Sequence, residues 1–128
     1  MIITCSHYIS SNLLHFRDHT RLIEDSIDSS IITHWDPQAR WGAVAVTMAI
    51  AEILKGDRGN LISTLTGNIE QAEVRQAVDE VPRLKVIRQE PSAYVLDTLQ
   101  AALWCFLTTS SFENALVAAV NLGGDTDT

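Results

Sequence analysis

Apolar positions recur along this chain at helical spacing, and no run alternates apolar and polar residues for long enough to read as a strand. The clearest stretch opens at Asp36 and Pro37, an N-cap followed by a residue suited to the first helical position, and stops at Gly56 after Lys55. It predicts a helix over 37–55. The interior of that helix, from Trp41 through Val44, Met48, Ile50, Ile53 and Leu54, is apolar on nearly every face, so other helices must surround it. Val95, Leu99, Ala102, Leu103 and Phe106 predict a second buried helix. Phe112, Ala115, Leu116, Ala119 and Val120 form one apolar stripe on a further helix, opened by a capping box of Ser110 and Glu113 and ending near Asn121.

Elsewhere the pattern is weaker. Leu13, Leu14, Phe16, Leu22, Ile23 and Ile27 predict one broken helix or two short ones around His19 and Thr20. After a turn over 56–60, Leu61 to Leu65 is short and apolar, and Asn68 to about Val81 reads as a surface helix with Val74, Ala77 and Val78 as its narrow stripe. Pro82 to Pro91 reads as a connector, and Met1 to about Ser11 shows no steady period. With no internal repeat and no second composition regime, residues 1–128 are expected to form one all-α unit.

Composition sharpens this picture. Of the 128 residues, 46% are hydrophobic but only 6% aromatic, so the apolar content is mostly small and aliphatic, which favours closely packed helices over a sheet. The net charge is −7 and no Lys or Arg follows Arg88, which argues against a nucleic-acid binder, since phosphate backbones are held by clustered cations. Cys5 and Cys105 lie far apart and in no metal-like spacing, as expected of a reduced, cytoplasmic chain. No cationic leader precedes an apolar stretch and no segment approaches about 18 uninterrupted apolar residues, so neither a signal peptide nor a membrane partner is expected. Cys105, Trp35, Trp41 and Trp104 are read as buried or half-buried packing. Tyr94 is read as packing at a helix start, with pocket lining as the alternative.

Candidate chemistry concentrates at the C-terminus. Gly123 and Gly124 allow a sharp backbone turn, after which Asp125 and Asp127 can converge on one ion with Thr128 adding an oxygen. An all-oxygen set suits hard cations such as Mg2+, Mn2+ or Ca2+. Asp and Thr are also common helix caps, and spacing alone leaves both readings open. His34, just before the N-cap Asp36, reads from its position as a structural hydrogen-bonder. His7, His15 and His19 stand at no metal spacing and receive no role.

Three segments carry a resemblance: Ser92-Ala-Tyr-Val-Leu-Asp-Thr-Leu-Gln-Ala-Ala-Leu-Trp-Cys-Phe, then Ser111-Phe-Glu-Asn-Ala-Leu-Val-Ala-Ala-Val, then Asn121-Leu-Gly-Gly-Asp-Thr-Asp-Thr. They resemble the later core motifs of the ADP-ribosylglycohydrolase family, of the dinitrogenase-reductase-activating glycohydrolase type. Upstream, Thr33-His34-Trp35-Asp36-Pro37 and the Ala-rich helix after it are similar to the family's Thr-His segment, and the resemblance is clearest over 26–128. It implies a compact orthogonal helical domain with a dinuclear Mg2+ or Mn2+ centre. It also implies hydrolysis of the N- or O-glycosidic bond joining ADP-ribose to a protein side chain or small acceptor. Carried over by position, Asp125, Asp127 and Thr128 match the family's C-terminal metal ligands, and His34 matches a histidine near the bound ADP-ribose.

The resemblance also has gaps. Family members open with a Gly-Asp segment, then a Thr-Asp-Asp motif that supplies the other half of the metal site, then an Asn-Gly motif that holds phosphate. This sequence contains no Asp-Asp pair. The expectation is therefore a partial domain, truncated at both ends, with at most a half-site for metal. Two readings follow: an enzyme that needs a complementing chain to complete its site, or a non-catalytic remnant serving as a helical binding or assembly module; uncovered apolar faces on the 37–55 and 95–106 helices would favour a partner chain or self-association. A third is an unrelated helical interaction domain whose terminal motif is coincidence.

Overall fold

The computed structural model describes residues 13–32, 34–85 and 94–123. The readings made for Met1 to Ser11, for Thr33, for most of the connector before Pro91, and for Asp125, Asp127 and Thr128 lie outside the described residues. The described residues form an all-α unit. After a 3-10 turn at Leu13–His15 come α1 (His19–Ile31), α2 (Pro37–Lys55), α3 (Leu61–Asn68), α4 (Ala72–Glu80), a second 3-10 turn (Val81–Arg83), α5 (Val95–Thr108) and α6 (Phe112–Asn121).

Local chemistry sets the ends of these helices. The break expected near His19 falls at Asp18, an extended residue whose carboxylate accepts a hydrogen bond from the backbone N–H of Arg21 at 3.2 Å, so α1 starts at His19 as one helix. Helix α2 occupies the predicted span, from Pro37 at its first position to Lys55. Gly56 at φ 81° stops it, because the left-handed turn carries no penalty without a Cβ. The surface helix expected from Asn68 to about Val81 starts later, at Ala72, because Asn68 belongs to the preceding helix. Asn68 closes α3, and Gln71 caps α4 by accepting from the Val74 N–H at 2.6 Å. At α6 the capping register is one residue later than expected: Ser111, not Ser110, accepts from the N–H of Asn114 at 3.2 Å.

Helix α2 is the axis of the fold, packed by α1, α3, α4 and α5. Helices α1 and α2 form an antiparallel hairpin through the short link 32–36. Facing α2, α1 presents Leu22, Ser26 and Ser30, all buried at four-residue spacing. The serine hydroxyls turn back onto their own helix, Ser26 to the Leu22 carbonyl at 2.6 Å and Ser30 to that of Ile27 at 2.8 Å. Buried Thr47 of α2 does the same to Ala43 at 2.9 Å. Their donors are satisfied internally, and the small side chains let the backbones approach closely. Leu22, Val44, Met48, Leu61, Leu65, Val74, Val78 and Leu99 fill the core between the helices. Each such side chain contributes roughly 1.5–3 kcal/mol on burial.

Two aromatic expectations divide. Trp41 and Trp104 are half-buried against the core, and the Trp104 indole N–H donates to the Leu84 carbonyl at 3.1 Å. Trp35 is 78% exposed, contrary to the packing expected of it, because it lies in the interhelix link and not on a helix face. Cys105 is buried as expected, and burial pushes its thiol above the usual range. Among the described residues no helix is long and apolar enough to cross a membrane.

Candidate functional site

His34, Trp35 and Asp36 form the link from α1 to α2. The His34 N–H donates to the Ser30 carbonyl at 2.8 Å, which carries the helical bonding of α1 up to the link and fixes where the half-buried imidazole stands. Asp36 adopts the extended backbone of an N-cap, but its side chain makes no cap hydrogen bond; Pro37 at the first helical position has no N–H to satisfy and its fixed φ starts the helix instead.

Just past the link, the starts of three helices are tied together. The Gln38 side-chain amide of α2 donates to Glu73 of α4 at 2.5 Å, and Gln71 donates to the same Glu73 oxygen at 2.6 Å. The Tyr94 hydroxyl, at the head of α5, donates to the Gln38 amide oxygen. These amide bonds hold the exposed Glu73 carboxyl below its usual range. Close backbone approach reinforces the junction: a Cβ built on Gly42 of α2 would stand 2.8 Å from Val95 Cγ2 of α5. Tyr94 is thus 47% exposed and hydrogen-bonded where packing was expected. It stands at the same end of the molecule as the link that bears His34.

From this junction an open groove of about 250 Å³ runs between α4 and α5, with Glu73, Glu80, Asp97, Gln76, Gln100 and Tyr94 in its walls. Its charged groups are all acidic, Ala77 and Leu96 add apolar wall, and its amide side chains bond within the protein, Gln76 to Glu80 at 2.9 Å and Gln100 to the Ala77 carbonyl at 2.9 Å. Among the described residues no three His, Cys, Asp or Glu side chains converge as a metal set would. The proposed ligands Asp125, Asp127 and Thr128 follow the described part. Helix α6 ends at Asn121, and Gly123 at φ 71° turns the backbone into the left-handed region just before Gly124, as the paired glycines suggested.

Of the residues singled out from sequence, His34 is therefore placed at a helix junction, and Asp125, Asp127 and Thr128 lie outside the described residues. Sequence reasoning missed Gln38 and Glu73. Gln38 is the second residue of α2, close to His34 in the chain, whereas Glu73 reaches the junction only through the fold.

The sequence model of the ADP-ribosylglycohydrolase family matches residues 8–128. The chain is similar to the ADP-ribosylarginine hydrolase Tri1 of Serratia proteamaculans (strain 568), at 26% identity over 110 residues, covering 84% of this chain and 30% of that protein. It is also similar to the ADP-ribosyl-[dinitrogen reductase] glycohydrolase of Rhodospirillum rubrum, at 44% identity over 39 residues, covering 30% of this chain and 13% of that protein. No solved structure matches. The chain thus spans less than a third of the length of these curated relatives. With a family match that runs through both the His34 segment and the closing Asp-Thr-Asp-Thr, this chain belongs to the ADP-ribosylglycohydrolase family.

Proposed function

We propose that this chain forms part of a hydrolase that removes ADP-ribose from a modified protein or small acceptor. The observation that carries the reading is the family match over 8–128, together with the sequence Gly123-Gly-Asp-Thr-Asp-Thr placed directly after α6. In the reaction, water adds across the glycosidic bond: its oxygen joins the anomeric carbon, the bond to the acceptor atom breaks, and a proton passes to the acceptor. His34, held at the head of α2, would contact the ADP-ribose with its polar ring. Asp125, Asp127 and Thr128 would hold a Mg2+ or Mn2+ ion, for which two carboxylates and a hydroxyl are a fitting donor set. When bound, such an ion orients ribose hydroxyls and polarises a water.

Three protein oxygens leave about half of an octahedral shell unfilled, so binding by this chain alone would be weak. A polypeptide segment carrying the Thr-Asp-Asp half would complete the site. The second reading is a non-catalytic binding or assembly module.

Calorimetric titration of the purified chain with Mg2+ or Mn2+ and ADP-ribose, beside a glycohydrolase assay on ADP-ribosylated protein, separates the two. Saturable metal-dependent binding that disappears in Asp125→Ala and Asp127→Ala, with circular dichroism unchanged, supports the hydrolase reading. A folded chain with neither binding nor turnover supports the module, and loss of helix in either variant counts against a site in a terminal turn.

A further inference from the structure

Glu52 is the one acidic side chain buried among the described residues, at 4% exposure near the end of α2, where it faces the start of α1. Its Oε1 lies 2.8 Å from Nε2 of His19 and 2.8 Å from Nζ of Lys55. The same Lys55 Nζ lies 2.7 Å from the same His19 Nε2. Three polar atoms thus form a triangle across the open end of the α1–α2 hairpin, opposite the link that bears His34.

One ring nitrogen cannot serve both neighbours together. The contact with a carboxylate needs a proton on Nε2, while the contact with an ammonium, which only donates, needs the Nε2 lone pair. The Lys55 to Glu52 bond is compatible with either. In each protonation state, two of the three contacts are hydrogen bonds and the third is not.

We propose that His19 is a proton-operated latch between the start of α1 and the end of α2. When protonated, the imidazole donates Nε2–H to Glu52, and Lys55 keeps Glu52 but withdraws from the ring. When neutral, it keeps its proton on Nδ1, accepts at Nε2 from Lys55, and leaves Glu52 to Lys55. Each switch takes up or releases one proton at Nε2, and the buried carboxylate has an ammonium partner throughout. The other charged groups here, on the turn that leads into α1, are engaged or outside the triangle. Asp18 accepts from the Arg21 N–H, Arg17 stands over the Phe16 ring at 5.4 Å, and His15 is exposed. Since α1 runs from the latch to the His34 link as one helix, a change in how its start is held on α2 is a route by which pH could reach that link.

The test is nitrogen-15 NMR of the His19 ring in the intact chain, assigned with His19→Gln, across roughly pH 5 to 8.5, the range in which histidine titrates. The neutral ring is expected to show Nε2 shifted to the position of an unprotonated acceptor and Nδ1 protonated. In Lys55→Met the neutral ring is expected to move its proton to Nε2, and Lys55→Arg, which keeps a donor, should restore the wild-type pattern. A neutral wild-type ring protonated at Nε2 overturns the proposal by itself, whatever the variants do; so does a tautomer that Lys55→Met leaves unchanged.

Discussion

Gly42 stands where α2 and α5 come closest, and the space a methyl group would need is already taken by Val95 Cγ2 at 2.8 Å. In a helix interior alanine is favoured over glycine by about 0.5–1 kcal/mol, whereas forcing an extra carbon into packed structure costs about 1–3 kcal/mol. Gly42→Ala is therefore expected to lower stability by roughly 1 kcal/mol, read as a lower midpoint in urea. Adding Val95→Ala opens the space, so the double mutant should be less destabilised than the sum of the single ones. Strict additivity would show that the two residues do not meet. Small residues in Ala-rich α2 announced close packing in the sequence, but nothing there said that Val95 was the partner.

The α1–α2 pair makes a prediction at the level of the element. Burial alone would raise the Glu52 carboxyl, but hydrogen bonds from Lys55 and His19 more than offset this and hold it below the ordinary value of 4.5. A carboxyl lowered in the folded state contributes stability that is fully present above the unfolded value and is lost as pH falls through the folded one. As Glu52 itself becomes protonated, the stability difference between wild type and Glu52→Gln is thus expected to shrink below about pH 4.5. Chemical denaturation at a series of pH values measures it, and a difference that grew on acidification would reverse the assigned sign. The helix boundaries themselves were largely legible, because Asp36-Pro37 and Gly56 act within one or two residues. The caps that misled, Ser110 for Ser111 and an uninterrupted 68–81, are cases where neighbouring polar residues compete to cap and only the formed helix selects one.

At the scale of the molecule, most of the exposed large apolar side chains on the described helices lie on α6, while Ile53 and Leu54 at the end of α2 are exposed too, where the sequence expected other helices to surround them. Helix α6 packs on α5 but buries none of its side chains, leaving Phe112 80% and Val120 68% exposed, with Leu116 and Val117 beside them. Contiguous apolar surface of this kind drives association. Sedimentation of the chain over a range of concentrations is expected to show self-association that Phe112→Ser with Val120→Ser weakens by at least tenfold, since each side chain contributes about 1.5–3 kcal/mol when covered. An unchanged mass distribution in the double variant would place the contact elsewhere. The end of α5 resists such exposure in part, because Arg58, from the turn after α2, donates to the Phe106 and Thr109 carbonyls while its guanidinium covers the Phe106 ring at 4.4 Å.

The sequence by itself determined the helical class, the limits of α2, the buried face of α4, most of that of α5 (where Ala101 is buried and Ala102, expected inside, is exposed), and the family, since each depends on residues close together in the chain: caps, four-residue spacings, contiguous motifs. Only the tertiary structure decided which helix α2 meets on each side. It also decided that Tyr94 bonds Gln38 beside Glu73, that Trp35 faces solvent, and that Glu52 is buried against His19 and Lys55. Those outcomes rest on contacts between residues tens of positions apart, and a periodic pattern fixes the side of a helix that is buried without naming what lies against it.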